Sequence, residues 1–292
     1  MTREEEIKVK SVEAIKTRCE NDFYAFVKMF WEYANPKPKY DDNWHIEVIC
    51  RHLERVYHGD IREIIINVPP GTGKSRLISI LFVAWCWLKD PSLCISCVSH
   101  GIPIINEFGH YILEVLRSPL YKAVQPNLKI PSNSAKTRIL NGCGGEWFAT
   151  TPHGPITGKH LDILMFDDLL EPINSDKKEN EFVCSWLPNT YLSRMSDRNT
   201  ARFVGVGQRI AEYDPAQWCI NKGWYHLNLP ARYAGGPQLR VLPNGDTMLL
   251  DPREVQGDNI FPARFPEADF LRLEKEEPYI CAGQFQQTPG PD

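Results

Sequence analysis

The sequence predicts an α/β fold of three layers: a mainly parallel central sheet, helices on both faces, and a small subdomain beside it. Three observations carry this reading. Short runs rich in β-branched residues, such as EIIINV and LDILMF, show no polar alternation, as strands buried on both faces require. Segments of helical spacing separate these runs, so right-handed crossovers join the strands. The chain has 292 residues, 42% hydrophobic and 24% charged, which is ample for a large core and ordinary for a globular protein.

In chain order, residues 3–33 are charged and amphipathic, with apolar positions from Ile7 to Val27 at mostly helical spacing, and predict a helix. The stretch NPKPKYDDN at 35–43 ends it and reads as an exposed linker. Residues 44–57 set His45, Val48, Ile49, Leu53 and Val56 on one face of a second helix. EIIINV at 63–68 is a buried strand, followed by PPGTGKS and by 76–88, apolar nearly all round and so a buried helix. Residues 93–98 are the next strand and 104–116 the next helix. Residues 137–140 and 146–150 flank three glycines and predict a hairpin. LDILMF at 161–166 is a strand, 182–195 a helix, 201–206 a strand and 224–229 another. Past Pro230 the chain turns rich in Pro and Gly. Asn244 and Gly245 mark a hairpin turn there, and 267–276 forms a short terminal helix.

The net charge of −4 shows no basic surplus, so any nucleic-acid role rests on a local patch or on assembly. Nine cysteines scattered from Cys19 to Cys281 argue against a disulfide framework and for reduced thiols. Cys94 and Cys97 form a CxxC, but strand positions three apart face opposite ways and no second CxxC completes a zinc site; core thiols are expected. The apolar run 77–88 is too short to span a bilayer, and the N-terminus lacks the apolar segment of a secretion signal. A cytoplasmic protein is expected.

The strongest chemical signal is Gly71-Thr72-Gly73-Lys74-Ser75, after a predicted strand and before a predicted helix. Glycines permit a tight loop whose amides surround phosphate oxygens, and the helix start adds positive potential. Lys74 is placed for the terminal phosphates and the Ser75 hydroxyl for Mg²⁺. The full G-x-x-x-x-G-K-[ST] pattern would put glycine at 68, where this chain has Val68. Pro70 and Arg76 flank the loop and complete the expected nucleotide-binding set. The partner acid is expected at the end of a neighbouring strand, and LDILMFDDLLEP supplies Asp167 for the Mg²⁺ shell and Asp168 to orient and deprotonate a water. Glu171 is the competing base. Gln208, at the end of the following strand, is expected to touch the γ-phosphate or its water.

Several classes share such a loop. PPGTGKS alone resembles AAA+ ATPases, but the 93 positions from Lys74 to Asp167 hold an extra strand, helix and hairpin. A superfamily 2 helicase needs a second RecA-like domain, and too little chain follows Asp167. A nucleotide-gated switch without strong turnover is the non-enzyme alternative; the paired aspartates argue against it.

The order of segments resembles the ATPase domain of the large terminase subunit of tailed bacteriophages. The resemblance rests on NWHIEVICRHLERV, IIINVPPGTGKS, LCISCVSH, TPHGPITGKHLDILMFDDLLEP, VGVGQRIAEYDP and FPARFPEADFLRLEKEEPYICAGQFQQTPGP, and covers roughly residues 22–291. It implies a P-loop NTPase of ASCE/RecA-like type, with a core at about 44–224 and a lid subdomain from about 1–43 plus 225–292. It implies Mg²⁺-dependent ATP hydrolysis driving double-stranded DNA into a procapsid. The implied setting is a homo-oligomeric ring, a pentamer, with portal protein and small terminase subunit, in the cytoplasm of an infected bacterium, with a monomer as the implied form of the isolated chain. Gly71 to Ser75 match the Walker A loop, Asp167 the Walker B acid and Gln208 the coupling motif. Asp168 stands where the family usually has glutamate. Trp44 and His45 fall where the family contacts adenine. The family continues into a nuclease after the QQTPG-like segment, so no nuclease activity is expected of this chain. The family also uses an arginine on the transferring phosphate; Arg76, Arg138, Arg194, Arg198, Arg202 and Arg209 are candidates, with Lys159 a weaker one. Lys122, Lys129, Lys136 and Arg138 form the local basic cluster expected to meet DNA.

Overall fold

The computed structural model describes residues 3–37, 39–154, 161–171, 177–193, 197 and 200–290. The chain opens with α1 (Arg3–Asn21) and α2 (Phe23–Ala34), two helices where the spacing suggested one. The break falls at Asp22, whose carboxylate accepts the Ala25 amide at 3.0 Å and caps α2. Then come α3 (Trp44–His58), β1 (Glu63–Asn67) and α4, which is π-helical over Arg76–Phe82 and α-helical over Val83–Lys89. The succession continues through β2 (Cys94–Ser99), α5 (Ile102–Arg117), α6 (Pro119–Val124), β3 (Arg138–Leu140), β4 (Glu146–Thr150) and β5 (Ile163–Asp167). It closes with α7 (Lys177–Ser193), β6 (Arg202–Gly207), α8 (Pro215–Asn221), β7 (Tyr225–Asn228), β8 (Leu239–Val241), β9 (Thr247–Leu249), α9 (Glu267–Glu276) and α10 (Pro278–Ile280), which runs on as a π-helical turn over Cys281–Phe285.

Seven strands form one sheet in the order β3-β4-β2-β5-β6-β1-β7, parallel throughout except for the β3–β4 hairpin. One arrangement differs from the sequence expectation. The acid-bearing strand β5 is not the neighbour of β1, because β6 pairs with both and lies between them. The crossover through α7 returns the chain into that gap. The end of β6, and with it Gln208, therefore lies between the ends of β1 and β5, beside the loop and the acids.

The central strands are buried on both sides, as their unbroken apolar runs required. On one face, α4 is enclosed by α1, α2, α3, α5 and α6 in a single apolar core with Phe23, Phe26, Phe30, Trp85 and Trp87 at its centre. The smaller opposite face packs Val183, Leu187, Ala216, Cys219 and Trp224 against Ile65, Leu164 and Phe166. Cys97 faces the main core, and burial pushes its thiol up. All nine cysteines are free thiols. Among the described residues, no helix is long and apolar enough to cross a membrane.

Two buried histidines, His45 and His52, and the half-buried His226 tie these layers together as neutral rings. His52 donates from Nδ1 to the Val48 carbonyl at 2.8 Å, which leaves Nε2 to accept the Tyr225 hydroxyl at 3.1 Å. His226 donates to Asn67 Oδ1 at 2.9 Å, and Asn67 Nδ2 donates to the Gly207 carbonyl at 3.1 Å, lacing the ends of β7, β1 and β6. His45 donates to the Thr72 carbonyl at 3.0 Å. Burial, first of all, lowers each of the three from 6.5 to about 4. The unfolded chain thus binds more protons between those values, so stability rises with pH through that window and is lost on acidification. Each such histidine contributes a slope of up to about 1.4 kcal/mol per pH unit. Glu54 and Asp167, whose carboxyls are raised by burial, act in the opposite sense. Urea unfolding is therefore expected to show a lower midpoint at pH 5 than at pH 7; an equal or higher midpoint would contradict the neutral-histidine assignment.

Candidate functional site

The loop after β1 bends through two glycines in left-handed backbone, Gly71 (φ 78°) and Gly73 (φ 84°). Gly73 is required on a second count: a Cβ there would stand 2.8 Å from the Trp31 ring. The Thr72 hydroxyl donates to the Pro69 carbonyl at 2.8 Å. The Leu77 amide donates to the Gly73 carbonyl at 3.0 Å, so helical bonding starts within the loop and aims the α4 N-terminus into the cleft above it.

β5 delivers two carboxylates opposite this loop. Asp167 is 1% exposed; its Oδ1 accepts the Ser75 hydroxyl at 3.0 Å and its Oδ2 accepts the Ser79 hydroxyl. Burial, then the charge of Asp168, push its carboxyl up to about 6, against Lys74 and the two hydroxyls. Asp168 adopts φ 43°, a left-handed conformation that aspartate tolerates better than most residues. Its amide donates to the Val206 carbonyl at 3.0 Å, and its carbonyl accepts the His100 amide at 3.2 Å and His100 Nδ1 at 2.7 Å. Its carboxylate meets the Lys74 ammonium at 3.0 Å from both oxygens and accepts the Gln208 amide at 3.3 Å. A Cβ on Gly207 would lie 3.1 Å from Asp168 Oδ1, so glycine there gives the carboxylate room to turn.

These groups open on a cleft of about 460 Å³ lined by Pro70, Gly71, Gly73, Lys74, Ser75, Arg76, Asp168 and Gln208, among others. Ser75 Oγ and Asp167 Oδ1 are two hard oxygen donors side by side, a pair that suits Mg²⁺. Among the described residues no group of three or more His, Cys, Asp or Glu is placed to hold a metal, so such an ion would depend on phosphate oxygens and water for its remaining ligands. The Gln208 side-chain oxygen is buried without a hydrogen-bond partner, in reach of a donor brought by a ligand or its water.

The expected residues divide clearly. Lys74, Ser75, Asp167, Asp168 and Gln208 converge. Trp44 and His45 do not line the cleft. His45 is fully buried against Thr72 and Phe261, and the Arg253 guanidinium lies 5.1 Å from the Trp44 ring centre, so both side chains serve as packing and bracing for the loop. Glu171 is exposed and is not among the cleft-lining residues. Of the arginines, Arg76 pairs with Glu107 and lies over Tyr111. Arg138 pairs with Glu146 at the far edge of the sheet. Arg209 is held by both oxygens of Asp214 and by Gln217. Arg202 begins β6, at the opposite end of the strand from Gln208. Arg194, Arg198 and Lys159 lie outside the described residues.

Sequence reasoning missed four contributors. Ser79 follows Ser75 by one helical turn, a spacing that could have revealed it. His100 directly follows β2 and starts its connection to α5. Lys37 and Arg264 line the cleft from segments remote in the chain, and no local pattern marks them.

Sheet order, loop and paired acids define an α/β protein of P-loop NTPase fold. No protein-family model matches the chain, and no curated protein sequence does. Among solved structures it is similar to the large terminase of bacteriophage HK97, with TM-score 0.51 and 12% identity over 75% of this chain and 45% of that one. It thus spans less than half the length of that terminase. The large terminase of a thermophilic bacteriophage in complex with ADP aligns with TM-score 0.48 and 13% identity, over 80% of this chain and 51% of that one. The ATPase domain of a Thermus phage large terminase aligns with TM-score 0.48 and 11% identity, over 82% and 94%. The likeness is one of fold.

Proposed function

We propose that this chain is the ATP-hydrolysing motor domain of a viral DNA-packaging machine. The observation that carries the proposal is the convergence of Lys74, Ser75, Asp167 and Asp168 across one cleft at the head of α4. A triphosphate binds with its oxygens on the loop amides and Lys74. Ser75 and Asp167 would hold Mg²⁺, which would supply charge neutralisation on the phosphates. In the resting chain Lys74 is engaged by Asp168. Phosphate oxygens take over the ammonium and free the carboxylate to orient a water and accept its proton. The water oxygen bonds to the γ-phosphorus in line, and the bond to the bridging oxygen of ADP breaks. Gln208, whose amide already binds Asp168, relays the change to β6.

The terminase-like fold supports double-stranded DNA as the moved substrate, with portal protein and small terminase subunit as partners and a homo-oligomeric ring as the working form. The segment after β7, whose 259–265 turn rests against the phosphate loop, acts as a lid on a core that takes in α1, α2 and β7 as well as the expected 44–224. Lys122, Lys129 and Lys136 are exposed and offer a basic DNA-facing patch. Contacts of a few lysines per subunit multiply in a ring.

None of the arginines weighed at the sequence level is free in the cleft among the described residues, which favours a finger supplied by the next subunit. Such a cation is worth about a thousandfold or more in kcat. Magnesium-dependent ATPase activity, measured at low and high protein concentration with and without double-stranded DNA, tests the proposal. Turnover per chain is expected to rise steeply with concentration and with DNA. Turnover indifferent to both would point to another P-loop class, and binding without turnover to a switch.

A further inference from the structure

The cleft carries four cationic side chains: Lys37, Lys74, Arg76 and Arg264. Lys74 is compensated by Asp168, and Arg76 by Glu107 and the Tyr111 ring. Arg264 forms no ion pair and no side-chain hydrogen bond among the described residues. Two neighbouring arginines of the C-terminal portion are fully engaged, while Arg240 lies over the Tyr225 ring. Arg232 is shared by Glu267 and Glu274, and Arg253 is locked by Asp251 and three backbone carbonyls.

Arg264 is also well supported by its own backbone. Its amide donates to the Phe261 carbonyl at 3.0 Å, and the Phe265 amide donates to the same carbonyl at 2.9 Å. Asn259 braces the turn from within, donating to the Phe265 carbonyl at 2.7 Å and accepting the Phe261 amide at 2.9 Å. Both flanking aromatics rest against the loop region. Phe261 packs on His45 with ring centres 5.3 Å apart, and the Phe265 ring comes within 3.5 Å of a Cβ position on Gly71. Arg264 lines both the main cleft and the smaller cavity over Gly71, Thr72 and Gly73, so it stands at the rim where the two meet.

We infer that Arg264 is a polyphosphate-binding residue, a guanidinium from the C-terminal segment that bonds the phosphate tail of the nucleotide held by the loop. The inference rests on the nucleotide reading of that cleft. A guanidinium suits this role because its planar fork matches two phosphate oxygens at once. It adds to Lys74 a second charge contributed by the same chain, distinct from any finger supplied by a neighbouring subunit. It also ties the 259–265 turn to nucleotide occupancy.

The test compares ATP, ADP and AMP affinities of the full chain and of Arg264→Gln by titration calorimetry, with unliganded melting temperatures as the folding control. A charge-assisted hydrogen bond lost at this position is expected to weaken ATP and ADP tenfold or more, with AMP affinity and melting temperature unchanged. Arg264→Lys is expected to recover part of the loss. Equal ATP affinity in wild type and Arg264→Gln overturns the inference and leaves the nucleotide site standing. An equal loss for AMP also overturns it, since the contact then lies outside the polyphosphate tail. Absence of ATP binding by the wild type overturns the site and the inference together.

Discussion

Lys74→Ala is expected to abolish measurable ATP binding. Lys74 is 6% exposed at the glycine loop, so its charge is little screened by solvent. Each charge-assisted hydrogen bond is worth about 1.5–3 kcal/mol, and the ammonium has several phosphate oxygens to serve. A loss of at least about a hundredfold in affinity follows from two such bonds. The substitution also strips Asp168 of its cation and leaves two adjacent carboxylates with one fewer compensating charge. The cleft would then repel the phosphates it is built to receive. Titration with a fluorescent ATP analogue checks this, with far-ultraviolet circular dichroism to show that the chain still folds. Binding within threefold of the wild type would remove Lys74 from the site.

Asp168→Asn is expected to leave ATP binding nearly intact and to lower turnover by roughly 10²–10⁴, the usual worth of a positioned general base. The substitution is a mild structural change. Asparagine tolerates the left-handed backbone at φ 43°, and its amide oxygen can still accept from Lys74 and the Gln208 amide. What it loses is the capacity to take a proton. Single-turnover hydrolysis measured beside equilibrium binding separates the two effects. Normal hydrolysis by Asp168→Asn would exclude it as the base, and Glu171→Gln is the control that then decides whether the exposed acid reaches the site. The structure argues against that outcome, since Glu171 is absent from the cleft wall.

Much of the site was legible locally because its parts are local. PPGTGKS carries its own geometry: two glycines for positive φ, a lysine and a serine at the start of a helix. LDILMFDD likewise announces a buried strand ending in acids. Most element ends drifted by a residue or two, α7 starts five residues before its expected position, and the short helices α6 and α8 went unread, since six or seven residues hold too few turns for a clear periodicity. The split between α1 and α2 was concealed by apolar spacing that runs on across Asp22. Trp44 and His45 were read as base contacts on position alone. Their burial depends on Phe261 and Arg253, more than two hundred residues further along.

From the residue order alone came the strand–loop–helix unit, the paired acids on a buried strand and the alternation that demands a parallel sheet, because these follow from spacing, side-chain chemistry and backbone permission within a dozen residues. Folding in three dimensions decided the rest. It inserted β6 between β1 and β5, closed Lys74 onto Asp168, gave Ser79 to Asp167 and brought Arg264 over the loop. Those are contacts between segments far apart in the chain, and their pairing is set by crossover direction and by which apolar faces bury one another, quantities that no single stretch of sequence contains.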